Sequence, residues 1–404
     1  MTRKSASQVV VRPAEVSINK AIDLLEKLYL KAIEEGEELP SVLLLGKPGV
    51  GKTVGVSLLA RRLSEKTGRE FVNLKKEWWR YEEVMQAPSK YFVFLDFAVT
   101  HTEPTDLSGF PRTDGKDYVS YMPLEYVKVF SHPDAAGILF LDEITLDTRI
   151  DRKSAELKIL DEKQFGFRTL SPKVLLVTAG NTEEDVGLAE PLPDPVLRGR
   201  VMRIYIKPPS AEEWIQFMNA EYGDKWDKKV AAFLLMYPNY LWVKADDDAG
   251  YDPRPSPRSW TKLARLLYLT GKTDIDDEEL EVLINSLISG QEAALFKTFY
   301  RTIVPSIDEI RSGLKSWADL PLEAKYLLTV QIAQKDVDEL VEKYYEILRD
   351  MAKSDRECLH LLLIVMGDPR KRQKFRIAVA RRLPEVAKAL SESFRRAQSF
   401  EGVM

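Results

Sequence analysis

The sequence predicts an α/β protein, a parallel sheet sandwiched by helices, followed by a region that is all helical. Three observations predict it. Short, near-continuously apolar runs recur through the first half, as in Tyr91-Phe92-Val93-Phe94-Leu95 and Val174-Leu175-Leu176-Val177, the composition of strands covered on both faces. Segments of helical period separate them, which is the βαβ pattern of a parallel sheet. From Ser210 onward the strand signal stops and only helical periods remain.

Residues 1–12 read as a loose arm with a short strand at Val9-Val10-Val11. Ser17 to Glu34 places Ile18, Ala21, Leu24, Leu25, Leu28 and Ala32 at helical spacing, an amphipathic helix. Ser41-Val42-Leu43-Leu44-Leu45 is the first sheet strand, and a helix runs from Val54 to Leu63. Phe71 to Leu74, Tyr91 to Phe97, Ile138 to Glu143, Val174 to Ala179 and Val201 to Ile206 are the further strands, with a helix at Lys153 to Leu160. Beyond them, helices are predicted over Glu212–Met218, Trp226–Met236, Ser259–Leu269, Asp277–Ile288, Leu322–Gln334, Val337–Ala352, Arg356–Val365 and Phe375–Ala397. A polar loop rich in Asp and Pro, Lys244 to Pro257, interrupts the series.

Between the first strand and its helix lies Gly46-Lys47-Pro48-Gly49-Val50-Gly51-Lys52-Thr53, the pattern G-x-x-x-x-G-K-[ST]. Glycines let backbone N–H groups close around phosphate oxygens, and the following helix points its positive end at the same anion. Lys52 supplies a point charge to the outer phosphates, and the Thr53 hydroxyl is a ligand for Mg²⁺. The loop therefore predicts a bound nucleoside triphosphate. Asp142 and Glu143 close an apolar strand. Asp142 would hold Mg²⁺ through its water shell, and Glu143 would polarise a water for attack on the γ-phosphate. That pair argues for hydrolysis rather than mere binding. Asn181, just past the next strand, falls within reach of the same water; Pro195 to Arg200 ends in clustered arginines that could serve a neighbouring subunit's γ-phosphate.

The series Gly46 to Thr53, Asp142-Glu143, Asn181 and Arg198/Arg200 resembles the AAA+ ATPases, and within them the MoxR branch. Glu103-Pro104-Thr105-Asp106-Leu107-Ser108-Gly109-Phe110-Pro111 is similar to that branch's P-x-D-L-x-G-x-P stretch, and Ser256-Pro257-Arg258-Ser259-Trp260 to its sensor-2 motif. The likeness covers about residues 15–300. It implies ATP and Mg²⁺ as cofactors, Asn181 as sensor 1, Arg200 as the arginine finger with Arg198 its competitor, and Arg258 as the sensor-2 arginine. It also implies that Gly109 belongs to a helix-2 insert and Gln164-Phe165-Gly166-Phe167 to a hairpin before sensor 1, both facing a channel or partner. The corresponding domains are an AAA+ nucleotide-binding domain over residues 1–207, an all-α lid over 208–304 and a helical extension over 305–404. The resemblance further implies a ring, expected to be hexameric, that remodels a partner protein, with a von Willebrand factor A domain protein as the expected co-operating partner. Two stretches depart from the branch: the long insert Lys75 to Lys90, with Trp78, Trp79 and Tyr81, and the tail after Pro305.

At 404 residues the chain has room for two to three domains. Its net charge of −4 gives no global push towards nucleic acid or membrane, and no apolar run approaches the roughly 18 residues of a membrane helix. Met1-Thr2-Arg3-Lys4-Ser5 leads into no signal-peptide core, and the single Cys358 excludes an internal disulfide framework, so a cytoplasmic location is expected. Six Asn and nine Gln among many charged residues suggest a thermophilic source. His101, His132 and His360 form no metal pattern. Arg370 to Arg396 carries ten basic residues against Glu385 and Glu392; a solvated face or ion pairing with acidic neighbours is the plainer reading. Nucleic acid is the sharper one. It defines the alternative function, a nucleic-acid motor or mobile-element ATPase; a nucleotide-switched scaffold with slow turnover is a third.

Overall fold

A computed structural model describes residues 14–113, 115, 117–147, 149–181, 199–244, 252–271, 275–312 and 314–401. Val9 to Val11, most of the loop after Lys244, and Arg198 lie outside the described residues. The chain divides into two compact units, Met1–Pro208 and Pro209–Met404.

The strands of the first unit are β1 (Glu15–Val16), β2 (Val42–Gly46), β3 (Glu70–Asn73), β4 (Tyr91–Ala98), β5 (Phe110–Arg112), β6 (Ser120–Met122), β7 (Ala136–Asp142), β8 (Gln164–Phe165), β9 (Arg168–Thr169), β10 (Val174–Gly180) and β11 (Met202–Ile206). Seven of them form one parallel sheet in the order β1-β11-β2-β10-β7-β4-β3. The first unit's helices are α1 (Ile18–Glu35), α2 (Lys52–Thr67), α3 (Tyr81–Gln86), α4 (Pro104–Ser108), α5 (Glu125–Phe130) and α6 (Ile150–Glu162).

Apolar side chains decide the layering. Every residue of β2 and β10 is buried, because a separate core packs on each face of the sheet. On one side Leu44, Phe140 and Val177 meet Ile22 and Leu25 of α1 and Leu59 and Leu63 of α2. On the other, Val93, Leu139 and Leu176 meet Val84 of α3, Phe130 of α5 and Ile159 of α6. Each such side chain contributes about 1.5–3 kcal/mol when fully withdrawn from water.

The strand order reverses beside β2. The chain leaves β2 for the far strand β3, returns through β4, β7 and β10, and crosses to β11 on the other side of β2. In open parallel sheets such a switch point opens a crevice at the carboxyl ends of the strands. Register brings Gly180 of β10 beside Leu45 of β2, and Thr178 beside Leu141 of β7, so the loop after β2, the end of β7 and the end of β10 meet there.

The second unit comprises α7 (Ala211–Tyr222), α8 (Lys229–Met236), α9 (Pro257–Thr270), α10 (Asp277–Asn285), α11 (Gly290–Tyr300), α12 (Ile307–Arg311), α13 (Leu322–Ala333), α14 (Val337–Lys343), α15 (Tyr345–Ser354), α16 (Arg356–Val365), α17 (Pro369–Arg382) and α18 (Pro384–Glu401). One hydrophobic core runs from Ala211 to Leu390, with Trp214, Trp226, Trp260, Phe296 and Trp317 among its largest buried side chains. Two predicted helices are each divided. Val337–Ala352 breaks at Tyr344, whose φ of −113° and ψ of 16° leave the helical region. Phe375–Ala397 belongs to two helices that part at Leu383, because Pro384 disfavours helical backbone at the residue before it. The helix expected from Trp226 begins instead at Lys229.

Candidate active site

The site is built from three strand ends and one helix start. Gly46 ends β2, and Gly49 and Gly51 turn the loop at φ 79° and 94°, left-handed backbone that costs glycine little. Gly51 is the N-cap of α2 and offers no side-chain cap, so the first-turn N–H groups face the loop's concavity rather than a side-chain oxygen. Lys52, the first residue of α2, is buried. Its ammonium donates to the carbonyls of Gly46 at 2.5 Å and Lys47 at 3.1 Å, and to Asn181 Oδ1 at 3.2 Å. The ammonium is thus held at the mouth of the loop and tied to the end of β10.

Thr53 Oγ1 donates to Asp142 Oδ2 at 2.8 Å. A hydroxyl and a carboxylate oxygen side by side at the loop are the oxygen donors a hard divalent cation takes. Both groups that sequence reasoning assigned to Mg²⁺ therefore fit one ion, and the glycine turn with its uncapped helix start fits a polyphosphate. Glu143 follows Asp142 at φ 61°, an uncommon backbone for a non-glycine residue that costs about 1–3 kcal/mol. Two contacts hold it: its N–H donates to Asp142 Oδ1 at 2.9 Å, and Thr100 Oγ1 donates to its Oε2 at 2.7 Å.

Asn181 is gripped by its backbone. Its N–H donates to Thr145 Oγ1 at 2.8 Å, and the same hydroxyl donates to the Asn181 carbonyl at 3.0 Å. Gly180 makes this possible, since a Cβ there would sit 2.4 Å from Thr145 Cγ2. The sequence reading singled out neither Thr100 nor Thr145. Thr145 could have been found from its place two residues after Glu143; nothing in the sequence around Thr100 marks it.

Arg200 is exposed and pairs with Asp161 near the end of α6. Arg198 lies outside the described residues. Arg258 stands in the second unit, exposed in the first turn of α9. Its position is fixed by Pro257 and by a capping box in which Ser256 Oγ accepts from the Ser259 N–H.

A buried acid pair, Asp147 before α6 and Glu156 within it, lies near the site. Burial, then the hydrogen bond and charge of Asp147, push the Glu156 carboxyl up to about 9. Burial also works on Asp147, but hydrogen bonds from Glu156 and Arg152 outweigh it and hold that carboxyl below its usual range.

Residues 42–209 match the family described as ATPase family associated with various cellular activities (AAA). This region is an AAA ATPase domain in the AAA+ P-loop fold. Such a domain binds nucleotide. No curated protein matches the chain. Among solved structures, the ORC1 protein of Aeropyrum pernix in complex with DNA is similar at 17% identity, over 86% of this chain and 83% of that one, with a TM-score of 0.36. The Aeropyrum pernix ORC2 protein in ADPNP–ADP complexes is similar at 13% identity, over 92% and 82%, with a TM-score of 0.36. A RuvB mutant from Thermotoga maritima is similar at 15% identity, over 76% and 87%, with a TM-score of 0.35. At these values the assignment rests on the domain match and on the loop geometry.

Two other sequence features are placed by the structure. Trp78 and Trp79 are 71% and 63% exposed and pack edge to face on each other, so the insert does not bury them. In the basic C-terminal segment, Lys374 pairs with Asp338 and Arg382 with Glu342, which is the acidic-neighbour arrangement. Arg395 and Arg396 have side chains outside the described set. Among the described residues no helix is long and apolar enough to cross a membrane, and no His, Cys, Asp and Glu cluster forms a metal site.

Proposed function

We propose that the chain hydrolyses ATP at the interfaces of a MoxR-like ring and uses the cycle to remodel a partner protein. The observation that carries the catalytic part is the convergence of Lys52 with Asn181 and of Thr53 and Glu143 with Asp142, through direct contacts of 2.8–3.2 Å. In this reading the loop N–H groups and Lys52 hold the β- and γ-phosphates, and Thr53 with Asp142 holds Mg²⁺. Bound there, the cation neutralises phosphate charge. Glu143 orients and polarises the attacking water, and Asn181 senses the γ-phosphate beside it. Arg200, exposed on the surface of its own unit, acts as the finger for the next subunit, and Arg258 contributes from the second unit as sensor 2.

The client-facing part is supported by the β5–β6 and β8–β9 hairpins. They expose Tyr118, Tyr121, Met122 and Phe167, the last at 73%, with the Tyr121 and Phe167 rings in contact at 5.3 Å between centroids and tilted by 51°. Exposed aromatic side chains on short hairpins suit gripping a polypeptide. The second reading, a nucleic-acid motor, draws on Arg370, Arg372, Arg381 and Lys388, for which no ion pair is found among the described residues.

Mixing mutant subunits tests the first reading. Glu143→Gln should bind ATP and trap an assembled, inactive ring, whereas Arg200→Ala should bind ATP and fail to hydrolyse it. Mixed rings should recover turnover, because each lesion leaves a different interface intact. If no ratio recovers activity, the shared-site reading is wrong or the subunits do not mix, and native mass spectrometry of the mixture separates those cases. Salt-sensitive DNA binding lost on deleting residues 370–404 would favour the second reading.

A further inference from the structure

Arg152 is a costly residue to keep where it is. It lies in the first turn of α6 with its side chain 5% exposed, at the helix end that disfavours a cation, and a buried charge is tolerated only when closely paired. Its guanidinium is spent on one target. Nη1 donates to the carbonyls of Val99 at 3.1 Å and Thr100 at 3.3 Å, and also to that of Thr102, while Nη2 pairs with Asp147. Nη1 thus gathers three carbonyls of a single turn while Nη2 holds Asp147, a division between two nitrogens of one planar fork that suits Arg and not Lys.

That turn follows β4 directly, and β4 ends with Ala98 in register with Asp142. From it Thr100 reaches Glu143 Oε2 at 2.7 Å. Asp147, in turn, lies four residues after Glu143 on the same loop. The contacts close a circuit: Glu143 to Thr100, Thr100's turn to Arg152, Arg152 to Asp147, and Asp147 back along the chain to Glu143. Arg152 Nε is buried without a partner, a cost that a device for stability alone would not carry.

We propose that Arg152 is a positioning residue for ATP hydrolysis: by clamping the Val99–Thr102 turn it sets the Thr100 hydroxyl against Glu143 and fixes where that carboxylate points. The inference rests on the role given to Glu143 above. The Asp147–Glu156 pair supports it by keeping an anion against the guanidinium.

A double-mutant cycle in the full-length protein tests it, using Arg152→Gln, Thr100→Val and the two combined. Each single variant should lower kcat about tenfold with KM for ATP within about twofold, since misplacing a catalytic group spares ground-state binding. The combined variant should be no slower than the slower single one, because both residues act on Glu143 through one network. Arg152→Lys keeps the charge but not the fork; it should lower kcat in the same way and carries the test where Arg152→Gln fails to fold. Multiplying kcat losses, a rise in KM equal to the fall in kcat, or wild-type turnover in Thr100→Val or in Arg152→Lys would each overturn the proposal. Glu143→Gln is the control. If it turns over normally, the underlying reading of Glu143 fails; if it is inactive while the cycle shows no effect, only the positioning role fails.

Discussion

Replacing Thr145 with Val removes one oxygen and nearly no volume, so it isolates the grip on Asn181. The hydroxyl is the acceptor for the Asn181 N–H at 2.8 Å and the donor to its carbonyl at 3.0 Å, and Thr145 is 4% exposed. A buried group left without its partner costs about 1–3 kcal/mol. Asn181 is half-buried, so water recovers part of the loss, and about 2 kcal/mol is the working figure for the two bonds together. For a unit of this size that lowers the melting temperature by roughly 4–8 °C. The functional effect should be larger than the stability loss suggests, because Asn181 Oδ1 also receives Lys52. Freed from Thr145, Asn181 loses its fixed distance to the loop, and kcat should fall at least about tenfold while ATP affinity changes little. Differential scanning fluorimetry with steady-state ATPase kinetics measures both. A melting temperature within about 1 °C of the wild type, together with an unaltered kcat, would refute the reasoning that Thr145 places Asn181.

Two further outcomes are expected. Lys52→Ala should weaken nucleotide binding by about 100-fold or more, as loss of a charge-assisted phosphate contact predicts; isothermal titration with ATP checks it, and near-native affinity would remove Lys52 from the phosphate site. The buried acid pair gives a pH dependence. With its folded pKa raised to about 9, Glu156 takes up a proton on folding, so its contribution to stability is full below the ordinary Glu range and is lost as pH rises through 9. Glu156→Gln, which stays neutral, should therefore match the wild type near pH 5 and gain on it increasingly towards pH 9 in thermal melts. A gap that shrinks with rising pH would show that Glu156 is ionised in the folded protein.

The sheet was legible because its strands are buried on both faces. β2, β4, β7 and β10 read directly from apolar runs, since little polar alternation competes with them, and β11 reads as a strand despite its exposed Arg203. β1, only two residues long, offers no period to read. The helix break at Tyr344 was hidden for a different reason: neither Gly nor Pro marks it, and Tyr344 is itself buried, so the apolar period runs through it. At Leu383 the signal was present in Pro384 and the apolar period on either side masked it. The loop, Asp142 and Glu143 were legible because their chemistry is concentrated in adjacent residues. Thr100 and Arg152 were not, for they lie 43 residues before and 9 after Glu143 (100, 143 and 152 in the chain) and meet only because β4 and β7 are neighbours in the sheet.

This difference bears on how such a site can be regulated. The residues proposed to hold phosphate lie on the loop and on α2, which packs into the sheet core through Val56, Leu59 and Leu63. Glu143 and Asn181 are instead held by a few hydrogen bonds each, among them those of the Thr100 and Thr145 hydroxyls. One hydroxyl contact is worth about 1 kcal/mol, a scale that a bound partner can readily exceed. The segment from Asp142 to Arg152 carries or anchors both contacts and runs into α6, whose Lys158 donates to the Gly166 carbonyl of the β8–β9 hairpin at 3.2 Å and lies 5.8 Å over Phe167. A force on the exposed Phe167 therefore has a route, through these contacts and along α6, to the loop that carries the two groups easiest to displace. In the proposed mechanism, binding of nucleotide and its hydrolysis are separable for that reason: the groups assigned to phosphate belong to the core, and those assigned to water belong to a loop tied to the surface.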